Sequence, residues 1–305
     1  MTTAPELFTR CSLQPVVWAD LWKHEEQAAG DWLVEPLIPR GRQVALFSEA
    51  KSGKSLLSLE IAAATATGRA VLGQVAGAPA PVVYIDQEMT PDDLRERLTD
   101  LGYGPDDDLD RLAYFQLSSL PPLDTPAGGR IVAELLDSYR PALFVIDTMA
   151  SLTSGPEKDS DTYRDFYRHT GSLLKEREVA LLRLDHSGKD RSKGQRGSSA
   201  KADDVDVVFF LTVDDGTLRL RRTHSRVPWV PAEVTLSRVA EPVLHHEVTS
   251  DGFKKETIDV ARLLDALDVP IEASAGAAMS ALREAGEGRR KALVLDALKL
   301  RRARS

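Results

Sequence analysis

The sequence predicts an α/β protein with a mostly parallel central sheet flanked by helices, followed by a small helical C-terminal extension. Short runs that are apolar throughout recur between about residue 43 and about residue 213, as expected for strands buried on both faces. Helix-like stretches separate these runs, which is typical of crossover connections between parallel strands. After about residue 254 only helical patterns remain, and they indicate the extension.

The predicted elements alternate along the chain. Strands are predicted in five apolar runs, at 44–47, 82–86, 143–147, 179–185 and 205–213. Helices are predicted between them, near 54–67, 91–101, 127–139 and 160–177. Two later segments, 217–227 and 232–239, predict antiparallel strands added at the edge of the sheet. The last three helices, near 254–268, 271–285 and 289–303, are separated by Pro270, Gly286 and Gly288.

Three parts of the chain differ in character. Residues 1–40 hold scattered aromatic residues, and we predict a short helix and a lead-in segment there that packs against the main body. Residues 41–250 hold the alternating strands and helices of the predicted core. Residues 251–305 form the extension, which from Arg283 onward has eight basic and three acidic side chains. Two interpretations of the extension stay open: a winged-helix-like unit that binds DNA, or a basic tail whose amphipathic helix packs on the core.

Composition limits the classes of function. The chain has 305 residues, of which 42% are hydrophobic and 28% are charged, as is ordinary for a protein with a well-formed core. The single cysteine, Cys11, excludes an internal disulfide and favours a reducing compartment. The first residues lack the features of a signal peptide, and no apolar run approaches the ~20 residues of a membrane span. We therefore expect a cytoplasmic protein without a membrane partner. The net charge of −8 argues against attraction of nucleic acid to the whole surface.

A phosphate-binding loop is predicted directly after the first strand. The sequence SEAKSGKS, residues 48–55, follows an apolar strand and precedes a helix that ends at Gly68. This order is that of a P-loop, whose backbone amides cradle phosphates. We expect Lys54 to reach the β- and γ-phosphates of ATP, and Ser55 to ligate Mg²⁺. Ser48 stands where such loops usually carry glycine, and serine is a mild replacement unless the position needs a positive φ. The candidate nucleotide-binding residues are Glu49, Ala50, Lys51, Ser52, Gly53, Lys54, Ser55 and Leu56.

Two other strand ends carry carboxylates. The strand at 143–147 ends in Asp147, the form of a Walker B strand, so Asp147 is expected to hold Mg²⁺ through water. The strand at 82–86 ends in Asp86, and Glu88 follows closely. Taken alone, a carboxylate after a strand is more often a cap or turn residue. Glu88, however, falls at the carboxyl edge of the predicted sheet, where a general base could orient the attacking water.

These motifs resemble those of the RecA-like P-loop ATPases, most closely their RepA-like branch, which includes the hexameric plasmid helicase RepA and many AAA-family proteins. The similarity covers roughly residues 30–240. It rests on SEAKSGKS, VVYIDQEMTPDDLRERL, LFVIDT and the long stretch that begins LLRLDHSGKDR. The resemblance implies a RecA-like core that hydrolyses ATP with Mg²⁺. It also implies a homo-oligomer, as a hexamer-like ring or a filament, and single-stranded DNA as a partner.

The resemblance implies roles for particular residues. In such proteins the glutamate after the second strand activates water, and Glu88 corresponds to it. A histidine at a strand end, here His186, senses the γ-phosphate and passes the signal to a loop that faces DNA. A Lys-x-Arg pair on a late strand enters the ATP site of the neighbouring subunit; Arg226 stands at the arginine position but His224 at the lysine position, and Arg221 and Arg222 are alternatives. The predicted catalytic residues are Lys54, Glu88, Asp147, His186 and Arg226.

A loop rich in glycine and serine follows His186. It has one acidic residue, Asp190, and its basic residues are Lys189, Arg191, Lys193 and Arg196. A run of charge is usually a solvated surface, but this one begins at the predicted γ-phosphate sensor. We therefore expect the loop to contact DNA or a neighbouring subunit.

Two classes of function follow from this pattern. The first is a DNA-dependent ATPase motor of the helicase type, acting in replication or recombination of a plasmid, phage or chromosomal element. The second is a regulatory or scaffold ATPase whose nucleotide state controls a protein assembly, which the acidic net charge favours. A small-molecule kinase is disfavoured because the sequence shows neither an arginine-bearing lid nor an acceptor pocket.

Overall fold

In the residues that the structure describes, a nine-stranded sheet forms the centre of the protein. The structure is a computed structural model, and it describes residues 31–156, 159–186, 204–214, 216–249 and 255–303. Two short strands, β1 (Trp32–Val34) and β2 (Ile38–Pro39), form an antiparallel hairpin ahead of the sheet. The strands of the sheet are β3 (Gln43–Ser48), β4 (Val82–Asp86), β5 (Leu112–Gln116), β6 (Leu143–Asp147), β7 (Ala180–His186), β8 (Val207–Asp214), β9 (Thr217–Ser225), β10 (Glu233–Val239) and β11 (His245–Thr249).

Helices pack against both faces of this sheet. They are α1 (Lys54–Thr67), α2 (Pro91–Asp100), α3 (Pro126–Tyr139), α4 (Ser160–Phe166) and α5 (Ser172–Glu176), with a turn of π-helix, Tyr167–Gly171, joining the last two. Successive strand residues point to opposite faces. In β4, Tyr84 packs in the cluster that holds Leu57 of α1, whereas Val83 packs in the cluster that holds Val132 of α3. Burial on both faces explains why the strands are apolar throughout in the sequence.

The strand order brings the candidate motifs to one edge of the sheet. Across the sheet the order is β11, β10, β9, β8, β3, β7, β6, β4 and β5. The strands from β3 to β8 are mutually parallel, and β9, β10 and β11 are antiparallel additions. The P-loop therefore leaves the sheet at the same edge as the ends of β4, β6 and β7.

The structure confirms the predicted fold class of a mostly parallel sheet flanked by helices. Each strand and helix predicted within the core is present, and its ends differ from the prediction by no more than two residues. The helix predicted near 160–177 spans that range but contains the π-helical turn. The two late segments form β9 and β10, which are antiparallel as expected.

Three elements of the fold were not predicted as strands. Residues 32–39, which fall in the predicted lead-in segment, form the β1–β2 hairpin, and residues 1–30 lie outside the described residues. β5 was not predicted, because it is an edge strand whose residues are only half-buried. β11 was not predicted either, because its sequence, HHEVT, has few apolar residues.

The last strands of the sheet contact the helices beside the P-loop. The carboxylate of Glu60 in α1 accepts the backbone N–H of His246 in β11 at 2.9 Å, and it lies 2.5 Å from the Nδ1 atom of that histidine. Both side chains are buried. The N–H of Leu244 donates to the carbonyl of Asp100 at the end of α2. These contacts tie β11, and through it β10, to the middle of α1 and to the end of α2.

Three further helices follow the sheet. They are α6 (Lys255–Ala266), α7 (Ala275–Glu284) and α8 (Lys291–Ala303). Their apolar faces form a separate hydrophobic cluster that includes Leu264, Leu282 and Leu298. Arg262 of α6 donates to Glu247 of β11 at 2.5 Å and ties the cluster to the sheet. The range 255–303 contains no strand, and across all described ranges no helix is long and apolar enough to cross a membrane.

Candidate nucleotide-binding site

The loop after β3 has the backbone conformation that a phosphate cradle requires. Lys51 and Gly53 adopt positive φ angles of 62° and 84°, which curl the chain as in anion-binding backbone nests. No atom lies within 4 Å of the place that a Cβ at Gly53 would occupy. Glycine is therefore favoured there for its backbone conformation and not for lack of space.

Ser48 is well accommodated where glycine is usual. It is the last residue of β3, so its backbone is extended and the Cβ causes no strain. The buried hydroxyl donates to the carbonyl of Glu49 at 2.9 Å, accepts from Lys54 Nζ at 2.8 Å and contacts the hydroxyl of Ser52. The Ser48 hydroxyl thus stabilises the loop by hydrogen bonds to three of its residues.

Lys54 begins α1, and its ammonium group lies across the loop. Besides the bond to Ser48, Nζ donates to the carbonyl of Glu49 at 3.2 Å, and the residue is only 5% exposed. The amino end of α1 adds N–H groups and the positive end of the helix dipole. A buried ammonium group beside a helix N-terminus favours a polyanionic ligand.

Ser55 and Asp147 form a candidate magnesium site. The Ser55 hydroxyl donates to Oδ1 of Asp147 at 3.2 Å, and the Tyr84 hydroxyl donates to Oδ2 at 2.8 Å. Burial raises the pKa of Asp147 to about 6, although the bonds from Tyr84 and Ser55 act in the opposite direction. The site fits Mg²⁺, which takes oxygen ligands, keeps several waters and needs few groups from the protein.

Glu88 and His186 meet at the ends of β4 and β7. Their side chains approach to 4.0 Å between Glu88 Oε1 and His186 Nε2, and the same carboxylate oxygen accepts from the Thr148 hydroxyl at 3.3 Å. The turn that presents Glu88 is fixed by the buried Asp86. Its Oδ1 accepts the N–H groups of Glu88 at 2.7 Å and of Met89 at 3.2 Å. Asp86 is therefore a positioning residue, which the sequence analysis did not assign.

One cavity of about 560 Å³ joins these groups, a volume within the usual range for a small-molecule ligand. Its lining includes residues 51–56 of the P-loop and the side chains of Glu88, Thr148 and His186. Glu49 and Ala50 are not part of the lining. Asp147 is not part of it either, but it accepts a hydrogen bond from Ser55, which is. The structure thus brings most of the predicted nucleotide-binding and catalytic residues together.

The far wall of the cavity holds residues that the sequence analysis missed. They come from α2 and β10 and are Asp93, Glu96, Arg97, Asp100 and Arg238. No motif marks them, because their position depends on how α2 and the outer strands pack around α1. Within the described ranges, neither Arg97 nor Arg238 takes part in a salt bridge. Both guanidinium groups are therefore available to a bound anion or aromatic ring.

Arg226 does not lie at this cavity in its own chain. Its N–H donates to the carbonyl of Asp206, whose N–H donates to the carbonyl of Gln43, the first residue of β3. The P-loop leaves the other end of this strand, roughly 15–20 Å away. A catalytic role for Arg226 therefore requires a neighbouring subunit, and it stays a prediction. The predicted loop residues Lys189, Arg191, Lys193 and Arg196 lie outside the described residues.

The fold and the geometry of the cavity are those of a P-loop nucleotide-binding protein. A family model described as an AAA domain matches residues 8–192, which is more than half of the chain. The chain therefore belongs to the AAA domain family. A search of curated proteins found no match. Family membership supports ATP binding and ATPase activity in general, while the RepA-like branch, DNA binding and oligomer formation stay predictions.

Arg238 gives a testable prediction about nucleotide affinity. We expect Arg238→Ala to raise the KM for ATP about fivefold, because a solvent-exposed cation contributes about 1 kcal/mol to such a contact. The measurement is steady-state ATP hydrolysis over a range of ATP concentrations. Arg219→Ala is the matched control, because Arg219 lies on β9 and pairs with Glu233 away from the cavity. A KM equal to that of the wild type would show that Arg238 does not contact the nucleotide.

Proposed function

We propose that this protein hydrolyses ATP in the cavity at the P-loop, with Mg²⁺ as cofactor. The observation that carries the proposal is that Glu88, Thr148 and His186 line the same cavity as Lys54. A triphosphate held by the loop would have its terminal phosphate near a carboxylate and an imidazole. Phosphoryl transfer to water needs positioning and charge stabilisation, and this set of side chains supplies both.

Each residue has a distinct role in the proposed reaction. Lys54 and the loop amides bind the phosphates, and Glu88 accepts the proton of the attacking water. The Glu88 side chain is half exposed, which leaves room for that water, and Thr148 fixes one of its oxygens. Ser55 and Asp147 would hold Mg²⁺, which neutralises charge on the phosphate oxygens.

We propose further that hydrolysis is coupled to single-stranded DNA, as in a helicase-type motor of replication or recombination. The basic loop from Lys189 to Arg196 begins three residues after His186, so a change at His186 can reach it through a short segment. The location of Arg226 at the opposite edge of the sheet supports a homo-oligomer in which this arginine completes the site of a neighbour.

A second candidate is a regulatory ATPase without motor activity, whose nucleotide state controls assembly with a protein partner. The net charge of −8 favours it, because an acidic surface repels the phosphate backbone of nucleic acids. The two candidates share the ATP site and differ in their response to DNA.

Measuring ATP turnover with and without single-stranded DNA, while following molar mass in solution, separates these candidates. For the motor, we expect DNA to raise turnover at least about tenfold, a coupling of ~1.4 kcal/mol, in an assembled protein. The double variant Lys193→Ala/Arg196→Ala should lose this stimulation, because it lacks two phosphate contacts.

The control is Arg111→Ala/Arg130→Ala, which removes the same charge from exposed positions and should keep the ratio of turnover with and without DNA. Turnover that is independent of DNA in an assembled protein would favour the regulatory ATPase. The absence of any ATP turnover would overturn the proposed reaction itself.

A further inference from the structure

The helices α6, α7 and α8 form a compact unit with its own hydrophobic core. Val260, Leu264, Leu282, Val294 and Leu298 are all nearly inaccessible within it. α7 is followed by a turn in which Gly286 has a φ of 76°, and six residues separate the end of α7 from the start of α8. Two helices joined by a turn with glycine, and packed against a third, resemble the framework of helix-turn-helix units, although six residues connect them here and about 3–4 is usual in such units.

The two sides of α8 differ sharply in chemistry. Its inner side, with Val294, Ala297 and Leu298, fills the core of the unit. Its outer side is exposed and carries residues at spacings of four, which place them on one helix face. These residues, which we call the outer face of α8, are Lys291, Leu295 and Lys299.

Charge on this unit is segregated. Two of its basic residues bond within the unit: Arg301 is buried and donates to Asp265 at 2.6 Å, and Arg302 donates to the carbonyl of Ala273 at 3.2 Å. Within the described ranges, Arg290 and Lys291 form no ion pair. Lys299 is 70% exposed and lies 3.6 Å from Asp296, a pairing that contributes little in water. The outer face of α8 and the turn before it therefore keep net positive charge.

We propose that the outer face of α8 binds duplex DNA in the major groove. The major groove is wide enough to admit an α-helix. The lysines at both ends of the face can bind the phosphates that flank the groove. Leu295, which is 41% exposed, can contact a thymine methyl group. A lipid surface fits less well, because one leucine among basic residues is too little apolar area for insertion. This duplex site is separate from the single-strand loop proposed above, and it does not depend on ATP hydrolysis.

The test measures binding of the full chain to a fluorescein-labelled duplex of ~30 base pairs of mixed sequence by fluorescence anisotropy. The variant is Lys291→Glu/Lys299→Glu. We expect its affinity to fall about 10- to 100-fold at low salt. We also expect the slope of log affinity against log salt to shrink by about 2, since two phosphate contacts are lost. The milder pair Lys291→Gln/Lys299→Gln should reduce the slope by a similar amount, and it keeps the test open if charge reversal disturbs folding.

The matched control is Arg111→Glu/Arg130→Glu, which changes the net charge equally and should bind duplex as the wild type does. Circular dichroism and thermal unfolding check that the variants are folded. Equal duplex affinity in the wild type and both α8 variants, or no duplex binding by the wild type at low salt, would overturn the proposal. ATP turnover without DNA is measured in parallel, so a failure here is distinct from a failure of the ATPase site.

Discussion

Replacing Lys54 by alanine should reduce ATP hydrolysis at least about 10²- to 10³-fold in kcat/KM, the cost of losing one preorganised charge at the reacting phosphate. The ammonium group is buried and held by Ser48 and by the carbonyl of Glu49, so its position is fixed before a phosphate binds. Stability should change little, because the variant removes a buried charge that donates to three uncharged acceptors, the hydroxyl and carbonyl of Ser48 and the carbonyl of Glu49.

The comparison is with Lys299→Ala, which removes an exposed lysine of α8, with turnover measured in the absence of DNA. Thermal unfolding should give similar midpoints for both variants, and a fluorescent ATP analogue should bind only to the control and the wild type. Normal turnover in Lys54→Ala would mean that the triphosphate does not sit on the P-loop, and the proposed ATPase site would then be wrong.

The fold class could be predicted from the sequence because each central strand is itself a short apolar run, which shows that it is buried. A strand covered by helices on both faces is apolar along most of its length, as are the four residues before the terminal aspartate in VVYID and LFVID. Strands at the edges carry no such signal. β5 is half-buried along its length, and β11 is held by pairing with β10 and by the buried contact between Glu60 and His246, which are 186 residues apart.

The residues of the site could be predicted where they belong to a motif or follow a central strand. Lys54 and Ser55 belong to one contiguous motif, and Glu88 and His186 follow strand ends that a parallel sheet must bring to one edge. Arg238 could not be found in this way, because it reaches the cavity only through the packing of β10 and β11 beside α1 and α2. The bond from the Leu244 N–H to the carbonyl of Asp100 is one of the contacts that place it there.

Glu88→Gln should lower kcat about 10²- to 10⁴-fold, the usual contribution of a positioned general base. Glutamine has nearly the same shape and can still accept the bond from Thr148, so the geometry is kept while the basic oxygen is lost. ATP affinity should stay close to that of the wild type, because the phosphates are held by Lys54 and the loop amides. The measurement pairs single-turnover hydrolysis with equilibrium binding of ATP.

Glu134→Gln serves as the control, because it makes the same chemical change at an exposed position of α3 far from the cavity. A variant that binds ATP and does not turn it over would separate binding from chemistry and assign the base. If Glu88→Gln kept its kcat, another group would have to orient the water. His186, 4.0 Å from Glu88 and in the same cavity lining, is a second group that can accept a proton, and His186→Asn would become the decisive variant.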